Sequence, residues 1–167
     1  MLRIVGRKIN IKRVSLNMRV TKDDSANAAL GSVVAGDTLR FYLILDKQCN
    51  GTQATIAQIF ETGTGNSIVN FMELSNKSRF QILKEWIVPI QSDVTYNATG
   101  AVYASGQIDQ FYKWSEAFNI PIEYLPEATP GTRDITEIRT NNLLLCGFSV
   151  RGLMEVQMRC RIRYSDN

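Results

Sequence analysis

The fold this 167-residue sequence predicts is all-β: a single eight-stranded antiparallel jelly-roll sandwich with long loops and little helix. Three observations predict it. Segments of strand length with apolar residues at every second position recur along the whole chain. Polar, turn-rich connections of unequal length separate them, as in a sandwich whose strands switch sheets. Only one short stretch, residues 55–60, has helical spacing. An immunoglobulin-like sandwich is less consistent with the sequence, since its Cys-Trp-Cys spacing is absent. Length and composition agree with one domain over residues 1–167: 44% of residues are hydrophobic and 21% charged, ordinary for a chain that buries a core.

The first strand spans residues 6–20. Ile9 and Ile11 share one parity, and Val14, Leu16, Met18 and Val20 share the other. An extra residue near Lys12-Arg13 must absorb that slip, which is what a β-bulge does. A polar loop with two aspartates and two glycines follows over residues 21–36. Residues 37–45 then form a central strand, with Leu39, Phe41, Leu43 and Leu45 facing a core. It runs into Asp46-Lys47-Gln48-Cys49-Asn50-Gly51, where Asn-Gly supplies the positive φ of a tight turn.

A second polar connection covers residues 63–78, and Ile68, Val69, Phe71, Met72 and Leu74 are placed to dock it on the core. Residues 79–90 resume strand character with Phe80, Ile82, Trp86 and Val88 on one parity, while Pro89 marks an end or an edge. Residues 93–106 are turn-rich and resist division. In residues 110–120, Tyr112, Trp114, Phe118 and Ile120 share one face of a half-buried strand, with Lys113, Ser115 and Asn119 on the other. Prolines punctuate the loop before residues 142–148, a continuous apolar run of strand length. Met154, Val156, Met158, Cys160, Ile162 and Tyr164 alternate without fault to the end of the last strand.

The sequence contains no histidine. Ser-His-Asp and Cys-His catalysis and imidazole-bound zinc therefore have no residues to use, and no glycine-rich phosphate loop occurs. An enzyme is not expected, nor a cofactor or metal; Asp23 and Asp24 read as solvated loop acids rather than calcium ligands. Cys49, Cys146 and Cys160 form neither an even framework nor a metal-type pair and read as reduced thiols. No run reaches the roughly 20 apolar residues of a transmembrane helix, and the first residues lack the pattern of a signal peptide, so neither membrane insertion nor secretion is expected.

Charge placement is the informative feature. Residues 1–22 hold seven basic side chains and no acid, residues 23–150 hold eight basic and fourteen acidic, and residues 151–167 hold four basic and two acidic. In a jelly roll the first and last strands are neighbours, so the two basic ends merge into one surface. Arg7, Lys8, Lys12, Arg13, Arg19, Arg159, Arg161 and Arg163 are the candidate contacts to nucleic-acid phosphate. The last three project from one side of a strand at about 6.6 Å intervals. The competing reading is that these cations pair with carboxylates or simply solvate an outer face. Tyr112, Trp114 and Trp86 are weaker candidates for stacking on bases, since aromatics on a strand parity are usually core.

Several blocks carry a family resemblance: Arg7-Lys8-Ile9, Leu39-Arg40-Phe41-Tyr42, Leu45-Asp46-Lys47-Gln48 with Asn50-Gly51, Arg79-Phe80 with Ile82-Leu83, Phe118 to Tyr124, and Arg161 with Arg163-Tyr164-Ser165-Asp166. In this order, spread over nearly the whole chain, they resemble the capsid proteins of circular single-stranded DNA viruses of the circovirus- and geminivirus-like group. The resemblance implies a jelly roll that self-assembles into a small icosahedral shell around a single-stranded DNA genome. It also implies a host-cell receptor as partner, residence in the virion, and passage through the host nucleus during assembly. The family's arginine-rich N-terminal arm has no counterpart before Gly6, so a chain shortened at that end is expected. Two other readings stay open, a lectin-like or receptor-binding jelly-roll module and the coat protein of an RNA satellite virus.

Overall fold

Period-two patterning becomes two facing antiparallel sheets in the computed structural model, which describes residues 8–22, 36–61, 72–91, 93–96, 102–105, 109–124, 135–149 and 154–166. The strands are β1 (Lys8–Lys22), β2 (Gly36–Asp46), β3 (Phe80–Gln91), β4 (Asp93–Tyr96), β5 (Val102–Ser105), β6 (Gln110–Tyr124), β7 (Ile138–Thr140), β8 (Asn142–Ser149) and β9 (Met154–Asp166). One sheet runs β7-β6-β1-β9 and the other β3-β2-β8. The chain is all-β with little helix, as expected. The expected count of eight is corrected among the described residues: the two sheets hold seven strands, and β4 and β5 pair only with each other. At three and four residues, β7, β4 and β5 are too short to display a period, which is why the sequence did not resolve them.

The core lies between the sheets. Ile9, Ile11, Val14 and Leu16 of β1 and Ile120 and Ile122 of β6 meet Leu43 and Leu45 of β2. Further along, Met18 and Val20 meet Leu39, Phe41, Val88 and Ile90. Trp86 of β3 and Trp114 of β6 cross edge to face at 5.3 Å, joining the layers where each ring offers its favourable geometry. The slip foreseen in β1 is present as a register shift between Ile11 and Arg13, and it keeps apolar residues on the inner face on both sides of the irregularity.

The expectation that Phe80, Ile82, Trp86 and Val88 share a face is corrected by a second bulge. Ile44 pairs with Ile82 but Leu43 pairs with Lys84, so Leu83 is an extra residue in β3. Phe80 consequently packs on the far side of the sheet, with Tyr42, Ile44, Ile59, Phe60 and Phe148, while Trp86 and Val88 face between the sheets. The central strand β2 is thus buried on both faces, since the helix α1 (Ile56–Ile59) and the residues around it cover Tyr42 and Ile44 on the outer one. Tyr42, Phe60 and Phe148 form a three-ring cluster there with centroids 4.8–6.1 Å apart. Burial pushes the Tyr42 phenol up to about 12. Of the docking residues expected in 63–78, Met72 packs on this layer, Leu74 is exposed, and Ile68, Val69 and Phe71 lie outside the described residues.

Glycine is required at one position of β8. Gly147 lies opposite Phe41, and a Cβ there would meet Phe41 Cε1 at 2.7 Å. Because Phe41 is itself buried between the sheets, the ring has little room to yield. Gly147→Val is expected to cost about 1–3 kcal/mol through overpacking. Urea unfolding followed by tryptophan fluorescence measures this, and an unchanged midpoint would contradict it.

The foreseen turn after β2 is present. Asn50 and Gly51 have φ of 45° and 75°. The Gly51 N–H donates to Ile138 O at 2.7 Å and the Asn50 N–H to Arg139 O at 3.2 Å, docking the turn on the start of β7. Asp46, at the base of the turn, is 0% exposed. Its carboxylate accepts from Arg79 Nε and Nη2, both at 2.8 Å, and from the Gln48 N–H at 3.0 Å.

Candidate nucleic-acid interface

The outer face of sheet β7-β6-β1-β9 carries the charged residues that the period-two pattern excludes from the core. Pairing of β1 with both β6 and β9 sets them in rungs. Phe111, Arg19 and Gln157 form one rung, Lys113, Asn17 and Arg159 the next, then Ser115, Ser15 and Arg161, then Ala117, Arg13 and Arg163. Successive rungs on one face are about 6.8 Å apart. The expected merger of the basic chain ends is therefore realised, because the first and last strands are neighbours.

The candidate cations separate into three groups. Lys8 and Arg19 are tied to acids: Lys8 Nζ lies 2.6 Å from Glu123 and Arg19 Nη2 lies 2.7 Å from Asp109. The bond from Lys8 lowers the Glu123 carboxyl below its ordinary range. For these two residues the competing reading of carboxylate pairing holds. Lys12 and Arg13 instead reach neutral groups, Lys12 Nζ donating to Asn119 Oδ1 at 3.0 Å and Arg13 Nη1 to Ser115 Oγ at 3.3 Å. Those contacts fix the side chains and leave their charge uncancelled. Arg159, Arg161 and Arg163 are exposed, and among the described residues they have neither a hydrogen-bonding nor an ion-pairing side-chain partner. Arg7 lies outside the described residues.

Lys113 is the residue the sequence reasoning left out. It is exposed on the same rung as Arg159, likewise without such a partner among the described residues. Its parity, opposite to Tyr112 and Trp114, was legible, but its company depended on β6 lying beside β1. Together Arg13, Lys113, Arg159, Arg161 and Arg163 border a broad groove of about 1030 Å³ whose lining includes no acidic residue among the described residues. Its floor carries hydroxyls, with Ser15 Oγ and Ser115 Oγ 2.8 Å apart.

Arg13 and Arg163 lie directly opposite one another across the ladder. Like charges in that position destabilise a sheet, and three arginines at every second residue of β9 add to the repulsion. An anion laid along the groove would relieve both. The geometry supplies positive density and neutral donors over several rungs, which is what phosphate contact needs.

The aromatic candidates pack as core residues, the reading their strand parity favoured. Trp86 and Trp114 meet each other between the sheets, and Tyr112 packs against the cluster containing Met18 and Val20, so the three rings are engaged in the core, although Trp114 also contributes to the lining of the groove. Cys49, Cys146 and Cys160 are free thiols, and burial raises Cys49 and Cys146 above the ordinary thiol range. Asp23 and Asp24 lie outside the described residues. No protein-family model and no curated protein matches this sequence.

Proposed function

We propose that this chain is the coat subunit of a virus with a single-stranded DNA genome, and that the groove on sheet β7-β6-β1-β9 holds that genome. The observation that carries the reading is a groove without acids among the described residues, whose five basic residues come from β1, β6 and β9 and include three on β9 that have no side-chain partner among those residues. A polyanion is the ligand such a face fits, and the ordered resemblance of the sequence blocks to capsid proteins indicates which polyanion. Release of counterions from phosphate would supply the binding free energy without base readout.

The jelly-roll form of the sandwich is part of the proposal. A hairpin rolled on itself pairs its first strand with its last and its second with the one before the last. Here β1 pairs with β9 and β2 with β8, both antiparallel. The next nested pair does not follow among the described residues, since β3 pairs with β2 alone and β6 with β1 and β7. The jelly-roll reading thus rests on the two outer pairs. Subunits would close into a small icosahedral shell through heterologous contacts, and a host-cell receptor would meet its outside.

The experiment is negative-stain electron microscopy of the purified chain together with its absorbance ratio at the nucleic-acid and protein maxima. Uniform closed particles with a nucleic-acid-rich ratio are expected. A chain that stays monomeric across salt and pH with a protein-like ratio would overturn the proposal.

A further inference from the structure

One large apolar side chain lies at the end of the charged face. Phe111 points outward from β6 and is 73% exposed, while its neighbours in the strand on either side are half-buried. A single exposed aromatic is ordinary on a protein surface. This one stands in a particular place. It shares a rung with Arg19 and Gln157 and is one rung from Lys113 and Arg159. Those residues and Asn17 line a depression of about 460 Å³ that contains Phe111 and shares Asn17, Lys113 and Arg159 with the basic groove.

We infer that Phe111 is a stacking platform for an unpaired base of single-stranded nucleic acid, with Lys113 and Arg159 holding the adjoining phosphates. Resting on the reading of the groove as a nucleic-acid interface, this adds a preference for unpaired strands. Among the described residues no other ring and no guanidinium lies over the Phe111 ring, so a face is open to a ligand. Arg19 does not compete for that role. Its Nε and Nη2 both donate to Asp109 Oδ2, at 3.0 and 2.7 Å, which holds the guanidinium to its own carboxylate. The spacing suits a nucleotide strand: phosphate-seeking charge begins one rung, about 6.8 Å, from the ring, comparable to the separation of successive phosphates in an extended strand. A double helix keeps its bases inside the stack and offers nothing to the ring. Stacking on an aromatic tolerates any base, as packaging of a genome requires.

The test compares Phe111→Ala with the unaltered full chain for binding to oligodeoxythymidine, duplex DNA and heparin, the last a polyanion without bases. Oligodeoxythymidine affinity is expected to fall about 10-fold, while duplex and heparin affinities stay unchanged and the salt dependence keeps its slope, because no phosphate contact is lost. Phe111→Trp should restore the affinity and show fluorescence quenching when oligodeoxythymidine is added. Since Phe111 is exposed, the thermal midpoint should not move. Unchanged oligodeoxythymidine binding, an equal loss for all three ligands, or lost assembly with unaltered binding would each overturn the inference, the last by making Phe111 a protein contact. If the unaltered chain bound none of the three, the reading of the groove itself would fall as well.

Discussion

Asp46→Ala is expected to remove about 3–5 kcal/mol of folding stability, the cost of breaking a buried ion pair from one side. Asp46 has no exposed surface, and its two oxygens receive both the Nε and Nη2 hydrogens of Arg79 in a fork. Removing the carboxylate leaves the guanidinium, only 21% exposed, without its anion. The same pair raises the Arg79 guanidinium above its ordinary value, chiefly through its hydrogen bond to Asp46. Such a loss is a large part of the roughly 5–15 kcal/mol that holds a domain folded. The thermal midpoint should fall on the order of 10 °C.

The effect reaches beyond the pair because of what it anchors. Asp46 closes β2, lies opposite both Phe80 and Asn142, and accepts the Gln48 N–H that starts the turn. Arg79 also accepts the Lys47 N–H through its carbonyl at 2.9 Å and stacks its guanidinium over Phe80 at 4.8 Å. One fork therefore ties the end of β2, the start of β3 and the turn docked on β7. Replacing both partners with apolar residues of similar size, Asp46→Leu with Arg79→Met, should recover part of the loss, since no buried charge then lacks a partner. Urea unfolding of the two variants decides the matter. A loss below about 1 kcal/mol for Asp46→Ala would mean that water takes over the role of the carboxylate.

How far the sequence disclosed this molecule depends on whether a feature is local. The bulge near Lys12 was legible because apolar residues on both sides of it change parity. The second bulge was not, since Ile82 and Leu83 are both apolar and either parity gives a plausible strand. Strand β2 alternates Leu with Tyr and Ile, and its burial on both faces becomes evident only once α1 is seen to cover Tyr42 and Ile44. The faultless alternation of β9 predicted its face but not its place at the edge. The opposing sheet has three strands against four, and Met158 and Ile162, although on the inner parity, are 41% and 45% exposed. For the basic face, parity identified the arginines of β9, whereas the pairing of Arg19 with a carboxylate 90 residues away depends on a register that no local pattern contains. Lys113 was missed for the same reason.

The combined variant Arg159→Gln, Arg161→Gln and Arg163→Gln should bind single-stranded DNA about 100-fold more weakly at roughly 0.1 M salt, and the slope of log affinity against log salt should become shallower by about 2. Both figures follow from losing three phosphate contacts on a single strand, each releasing about 0.7 of a counterion. Folding should not suffer, because the three side chains are exposed and without partners among the described residues. Relief of the repulsion between Arg163 and Arg13 should if anything raise the unfolding midpoint. Lys8→Gln serves as the control, since Lys8 already faces Glu123 and contributes little net charge to an incoming phosphate. Its effect on affinity should be under about 3-fold. Particles that form but carry no nucleic acid would place the arginine stripe on the inner wall. Loss of particles with unaltered affinity of the free subunits would place the stripe in a seam between copies, where carboxylates of a neighbour replace the phosphates. Affinity and salt slope both unchanged would remove the groove from nucleic-acid binding, and with it the observation on which the coat-subunit reading rests.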